Sequence, residues 1–63
     1  MYLKENLKLL RKRRKRSQED VAKSLLLTRS AYNSYENGVA EPGIQILIRL
    51  SEFFQINIDK LIR

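Results

Sequence analysis

Residues able to begin a helix punctuate this chain at Ser17, Thr28, Gly43 and Asn57, only 11, 15 and 14 positions apart, and so confine it to short helices. Ahead of the first of them, Leu3, Leu7 and Leu10 recur at the spacing of one helical face, among good helix formers such as Lys4, Glu5 and Lys8. A first helix of about three turns follows. It should stop within Arg11-Lys12-Arg13-Arg14-Lys15-Arg16, where like charges at successive positions repel. Ser17-Gln18-Glu19-Asp20 is a weakened capping box, with Asp in place of the usual Glu or Gln. Val21, Ala22 and Leu25 then form a short buried face, so a second helix runs from Gln18 to about Leu25, with Leu26 and Leu27 in the turn. Thr28 caps a third helix, Arg29 to Glu36, which ends at the strong stop signal Asn37-Gly38. Ala31, Tyr32 and Tyr35 share its inner side, whereas Arg29, Ser30, Asn33 and Ser34 lie on another. After Glu41-Pro42-Gly43, a fourth helix spans Ile44 to about Phe54, and Asn57 caps a short fifth from Ile58, with Asp59 in its first turn. The expectation is an all-α fold of five helices forming one domain, residues 1–63.

A chain of 63 residues can build only one compact core. It has no cysteine and no histidine, so no disulfide, thiolate site or imidazole holds it together, and apolar packing must carry its stability. The commonest general base is also missing, and no acid, base, nucleophile or metal set converges. We therefore expect no enzyme, no cofactor and no metal. No apolar run exceeds three residues, as at Leu25-Leu26-Leu27, far short of the roughly 20 a membrane span requires. There is no signal-peptide core either, which points to a cytoplasmic protein without a membrane partner.

The net charge of +6 lies wholly at one end. Residues 1–16 hold eight basic residues and one acidic residue, whereas residues 17–63 hold five basic and six acidic. Such a cluster attracts any polyanion: nucleic acid, an anionic membrane or an acidic protein.

The outward side of the third helix narrows this choice. Two short helices joined by a tight turn, the second showing small polar residues and an arginine, suit a major groove about 12 Å wide. Arginine can contact guanine bidentately, asparagine can do so with adenine, and serine suits either kind of edge. Arg29 and Asn33, four apart, project from one face. The free N–H groups at the start of the second helix make a neighbouring phosphate site, to which Gln18 can add a donor. The competing reading is a solvated helix surface with ordinary capping at Ser17.

Taken in order, Ser17-Gln18-Glu19-Asp20-Val21-Ala22, Thr28-Arg29-Ser30, Tyr35-Glu36-Asn37-Gly38 and Glu41-Pro42 resemble the helix-turn-helix domain of phage repressors, Cro and bacterial XRE-type regulators, over about residues 3–62. The resemblance implies a lambda-repressor-like five-helix bundle whose second and third helices form the motif. It also implies double-stranded operator DNA as partner, usually bound by a dimer, in a transcriptional regulator of bacterial or phage origin. It marks Arg29, Ser30, Asn33 and Ser34 as base-facing and Gln18 and Asn37 as phosphate contacts; we count Thr28 with the latter. It further pairs Arg11 with Glu36 in a structural ion pair.

Three departures stand out. Lys15 and Arg16 replace the family's usual Gly-Leu, so that turn should differ and one core side chain is missing; Leu26 replaces a turn glycine, where strain or reshaping is expected. Val39 and Ala40 replace a frequent basic pair, and Lys12, Arg13, Lys15 and Arg16 are expected to supply the missing phosphate attraction.

In the fourth helix, Ile44, Leu47, Leu50 and Phe54 can fill the core. Ile46 and Phe53 lie on a different face and, with Ile56, Ile58 or Ile62, are expected to form an exposed patch serving as a homodimer interface. The simplest role is a repressor that occupies promoter DNA. Two alternatives belong to other classes: an antitoxin or adaptor engaging an unidentified protein partner, and a basic module for anionic lipid, which would need a free apolar helix face.

Overall fold

The computed structural model describes residues 2–63 and contains α1 (Leu3–Arg13), α2 (Gln18–Ser24), α3 (Arg29–Glu36), α4 (Ile44–Phe54) and α5 (Ile58–Ile62). Helix α3 packs against α1 and α2, while α5 packs against α1 and α4. Leu3 and Leu7 of α1, Val21, Ala22 and Leu25 of the α2 region, Tyr32, Leu50, Phe54 and Leu61 form the buried core.

The caps act as the sequence predicts. The Ser17 hydroxyl accepts the Asp20 N–H at 3.0 Å and the Asp20 carboxylate accepts the Ser17 N–H at 3.2 Å, so the Asp completes both halves of the box. Thr28 and Asn57 cap α3 and α5 in the same way, accepting from the N–H groups of Ala31 and Lys60.

A common device ends the first four helices. In each, a residue with φ between 54° and 72° turns the backbone left-handed: Lys15, Leu26, Gly38 and Gln55. The next N–H reaches back across the turn, from Arg16 to the Arg11 carbonyl, Leu27 to Ala22, Val39 to Ser34 and Ile56 to Ser51. This is the Schellman pattern, in which glycine normally supplies the left-handed residue. Only one of these four positions is glycine. The α1–α2 turn, expected to differ without glycine, therefore keeps the left-handed geometry and Lys15 adopts it. Leu26 does the same, 86% exposed. Leu27 and Ile56, which follow such residues, pack onto the core; Arg16, in the corresponding place, is exposed.

Helix α4 requires a correction. Ile44, expected in the core, is 64% exposed. Its buried face is set by Leu50 and Phe54, and Ile44 lies at the first helical position, roughly a quarter turn round from them, beyond reach of the other elements. The anticipated patch is also less free than expected: Ile46, Phe53, Ile56 and Ile62 are half-buried against the core, and Ile58 is half-buried too. A small bundle still covers one flank of α4 because α5 folds back on it.

Two tethers were not legible beforehand. Asn6 donates its side-chain N–H groups to the carbonyls of Lys60, Leu61 and Arg63, closest at 2.8 Å to Leu61, thereby capping the C-terminal end of α5. The Arg14 guanidinium lies 5.5 Å from the Phe53 ring and 5.8 Å from the Phe54 ring, a cation–π contact joining α1 to α4.

Candidate nucleic-acid interface

Glu36, with no solvent exposure, holds the site together. Arg11 donates to it twice, Nε to Oε2 at 2.7 Å and Nη2 to Oε1 at 3.2 Å, and Gln18 Nε2 donates to Oε1 at 3.1 Å. The same Arg11 donates Nη1 to the Arg16 carbonyl at 2.9 Å. One carboxylate thus binds the end of α3 to α1, to the α1–α2 turn and to the first residue of α2. A planar guanidinium suits this task because its fixed fork can serve two oxygens and a carbonyl at once.

Burial by itself pushes the Glu36 carboxyl upward, but hydrogen bonds from Arg11 and Gln18, the nearby Tyr32 hydroxyl and the Arg11 charge outweigh it and hold the group below its ordinary value of 4.5. The fully buried Tyr32 hydroxyl makes no hydrogen bond of good geometry, yet it lies close enough to Glu36 to help hold the charge. Burial first, and then the adjacent carboxylate, drive the Tyr32 phenol well above its ordinary range.

This clamp brings two features side by side. One is the start of α2, where Gln18 is half-buried and Ser17 exposed. The other is the outer side of α3: Arg29, Ser30 and Asn37 are exposed, and Asn33 and Ser34 are half-buried. Arg29 and Asn33 lie one turn apart on the same face, with Ser30 and Asn37 next to them. All five of these α3 side chains reach the surface, so a groove edge can approach them.

The remaining expected contacts differ in how free they are. One N–H of Gln18 is committed to Glu36, and Gln18 retains its carbonyl oxygen and a second N–H for a phosphate neighbourhood. The Ser34 hydroxyl donates to the Ser30 carbonyl at 3.0 Å, which leaves its oxygen able to accept another hydrogen bond. The Thr28 oxygen is occupied as the α3 cap. Lys12, Arg13, Lys15 and Arg16 are all exposed, and none forms an ion pair among the described residues. Arg14 differs from its neighbours in the basic run because its guanidinium rests on the two phenylalanine rings. Nothing in a run of six cations distinguishes it; the signal lies in rings some 40 positions away. Among the described residues, no three acidic side chains cluster to hold a metal ion, and no helix is long and apolar enough to cross a membrane.

Comparison with known proteins agrees with this geometry. The chain is 41% identical over 59 residues to the HTH-type transcriptional regulator YqaE of Bacillus subtilis (strain 168), covering 94% of this chain and 51% of that protein. It is 37% identical over 59 residues to the SPbeta prophage-derived HTH-type transcriptional regulator YonR of the same organism, with 94% and 55% covered. Identity to the HTH-type transcriptional activator BcrR of Enterococcus faecalis is 34% over 62 residues, 98% of this chain and 30% of that protein. The fold is similar to the crystal structure of a transcriptional regulator from Listeria innocua, with a TM-score of 0.89 and 32% identity over 95% of this chain and 56% of that one. The chain therefore spans about half the length of these proteins, or less. The family described as Helix-turn-helix matches residues 7–61, a span that holds the capping box, all four left-handed turns and the Glu36 clamp, and the chain belongs to that family, in its XRE-type branch.

Proposed function

We propose that the chain is a sequence-specific regulator of transcription that binds double-stranded DNA, inserting α3 into the major groove so that Arg29, Ser30, Asn33 and Ser34 meet base edges. One observation carries this reading: the side of α3 that faces solvent is short-chained and polar with one arginine, and it adjoins the open end of α2. Gln18, Thr28 and Asn37 flank that face at its two ends and would hold phosphates. Lys12, Arg13, Lys15 and Arg16 add the sequence-independent attraction on which affinity and its salt dependence rest.

The experiment is selection of bound sequences from random duplex DNA, with Arg29→Ala and Asn33→Ala measured alongside. Each variant should relax preference at one base position and lose about 1–3 kcal/mol for its preferred base. Unchanged preference in both would overturn the assignment of α3 as reader.

We propose repression as the mode of action, because occupying a promoter requires only the interface itself. A reporter driven by a promoter that carries the selected site should fall in output when the protein is present. A rise would instead assign it an activating role, as the name of its relative BcrR has it for that protein.

We also propose that it binds as a symmetric homodimer through the α4–α5 region, with the half-exposed Ile46, Phe53, Ile56, Ile58 and Ile62 at the contact. A body measuring 24 × 22 × 18 Å is small enough for two copies to sit on successive turns of one face of DNA, about 34 Å apart. A palindromic selected site and a sedimenting dimer are expected; only monomer at tens of micromolar, with and without DNA, would reject the pairing.

A further inference from the structure

The loop after α3 lacks cations in its own sequence, since Val39 and Ala40 follow Gly38. A cation is nevertheless present there in space. The Lys4 side chain, from the first turn of α1, runs across the Gly38 backbone: a Cβ built on Gly38 would lie 2.9 Å from Lys4 Cδ and 3.6 Å from its Nζ. The absence of a side chain at position 38 is what allows this approach. We propose that Lys4 is a phosphate-contact residue, supplying from α1 the charge that the Val39–Ala40 loop does not carry, next to Asn37 at the far end of the reading helix. This rests on the DNA-binding reading given above and extends it by one site residue.

Three observations leave Lys4 no comparable role within the fold. First, it forms no ion pair among the described residues, where the ion pairs are Arg11–Glu36 and Arg63–Asp59. Glu41 lines the same shallow groove of about 200 Å³ as Lys4, together with Leu3, Tyr35, Gly38 and Ala40, but does not close on the ammonium. Second, three of the last four carbonyls of α3 are capped without it. Asn33 accepts from Asn37, Ser34 from Val39 and Ala40, and Tyr35 from Gly38. Third, a cation in the opening turn of α1 faces the positive end of that helix dipole, so the electrostatics of α1 do not favour a charge there, although lysine is a good helix former. Lys4 is exposed, and it stands beside Asn37, which is proposed above to hold a phosphate.

The test measures the affinity of the 63-residue chain for its selected duplex across a salt series, for wild type, Lys4→Gln, Lys4→Arg and Lys60→Gln. Lys60→Gln removes the same charge from α5, which packs chiefly on α1 and α4 rather than on α3. Removing one phosphate contact lowers the slope of log K against log salt by about 0.9. We expect that reduction for Lys4→Gln, equally on selected and unrelated duplexes, with recovery in Lys4→Arg, no change in Lys60→Gln and melting temperatures close to wild type in all. A wild-type slope in Lys4→Gln overturns the proposal while leaving the DNA-binding reading intact, and so does an equal reduction in Lys60→Gln. If Lys4→Gln loses its fold, Lys4→Arg decides: a folded protein with a reduced slope also overturns it. Wild type without affinity for any duplex overturns both readings.

Discussion

Glu36 is an anion taken wholly out of water, which is tolerable only because Arg11 and Gln18 satisfy its oxygens. Removing the cation leaves that charge buried and unpaired, so Arg11→Ala should cost about 3–5 kcal/mol. For a chain of this length, with roughly 3–9 kcal/mol of total stability, urea denaturation should find the variant largely unfolded or close to it. The pH dependence follows from the same group. Its folded-state pKa is depressed below 4.5, so its contribution is complete above that value and is lost as pH falls through the lower folded pKa. Urea midpoints measured from pH 7 down to pH 3 should therefore drop below about pH 4.5, and Glu36→Gln should be less stable at neutral pH with a flatter acid limb. The left-handed side chains act in the opposite sense. An L-residue in that conformation costs about 1–2 kcal/mol, while glycine gives back about 0.5–1 kcal/mol through the unfolded chain. Lys15→Gly and Leu26→Gly should thus each stabilise by about 0.5–1 kcal/mol in thermal or urea melts; destabilisation by either would mean its side chain makes a contact worth more than the strain.

Short helices such as α2, with 7 residues, are not stable alone, and their ends matter more than their propensity. At α2 one serine orders the whole element: its hydroxyl caps the first turn while its N–H is bound by Asp20. That N–H is the chief reason the Asp20 carboxyl lies below its ordinary range. Ser17→Ala should cost about 1 kcal/mol. Because α2 carries Gln18 into the interface, the weakening should also show as faster hydrogen exchange confined to α2 and its turn. Unchanged exchange in Ser17→Ala would mean that Glu36, through Gln18, holds the element without its cap. Helix α4 is a different case. Its apolar composition suggests burial on every side, but only the flank bearing Leu50 and Phe54 is covered fully, and Ile44 and Ile48 remain exposed.

At the scale of the molecule, charge and core are segregated. The core draws on all five helices, whereas the free cations crowd the α1–α2 turn. Replacing Lys12, Arg13, Lys15 and Arg16 together by glutamine should lower the salt dependence of DNA binding by about 0.9 for each phosphate that they neutralise and leave the fold intact; an unchanged slope would show that these side chains do not reach the DNA. Arg14 should separate from them. Arg14→Gln should reduce stability by about 0.5–1 kcal/mol, because the cation no longer rests on the rings, with little effect on that slope.

The order and boundaries of the helices were legible in the chain because they depend on neighbours in sequence: Ser17, Thr28 and Asn57 bond to N–H groups three residues on, and the α3 polar face repeats at helical spacing. Local periodicity also separated Tyr32 from Arg29 correctly. What depended on the third dimension was hidden. Asn6 meets carbonyls about 55 positions away, Arg14 meets rings on α4, Lys4 crosses Gly38, and the covered side of α4 was decided by where α5 docks. A helix carries its caps and faces in its own residues, but which face is dry, and which cation is free, is settled only when another element occupies or leaves the space beside it.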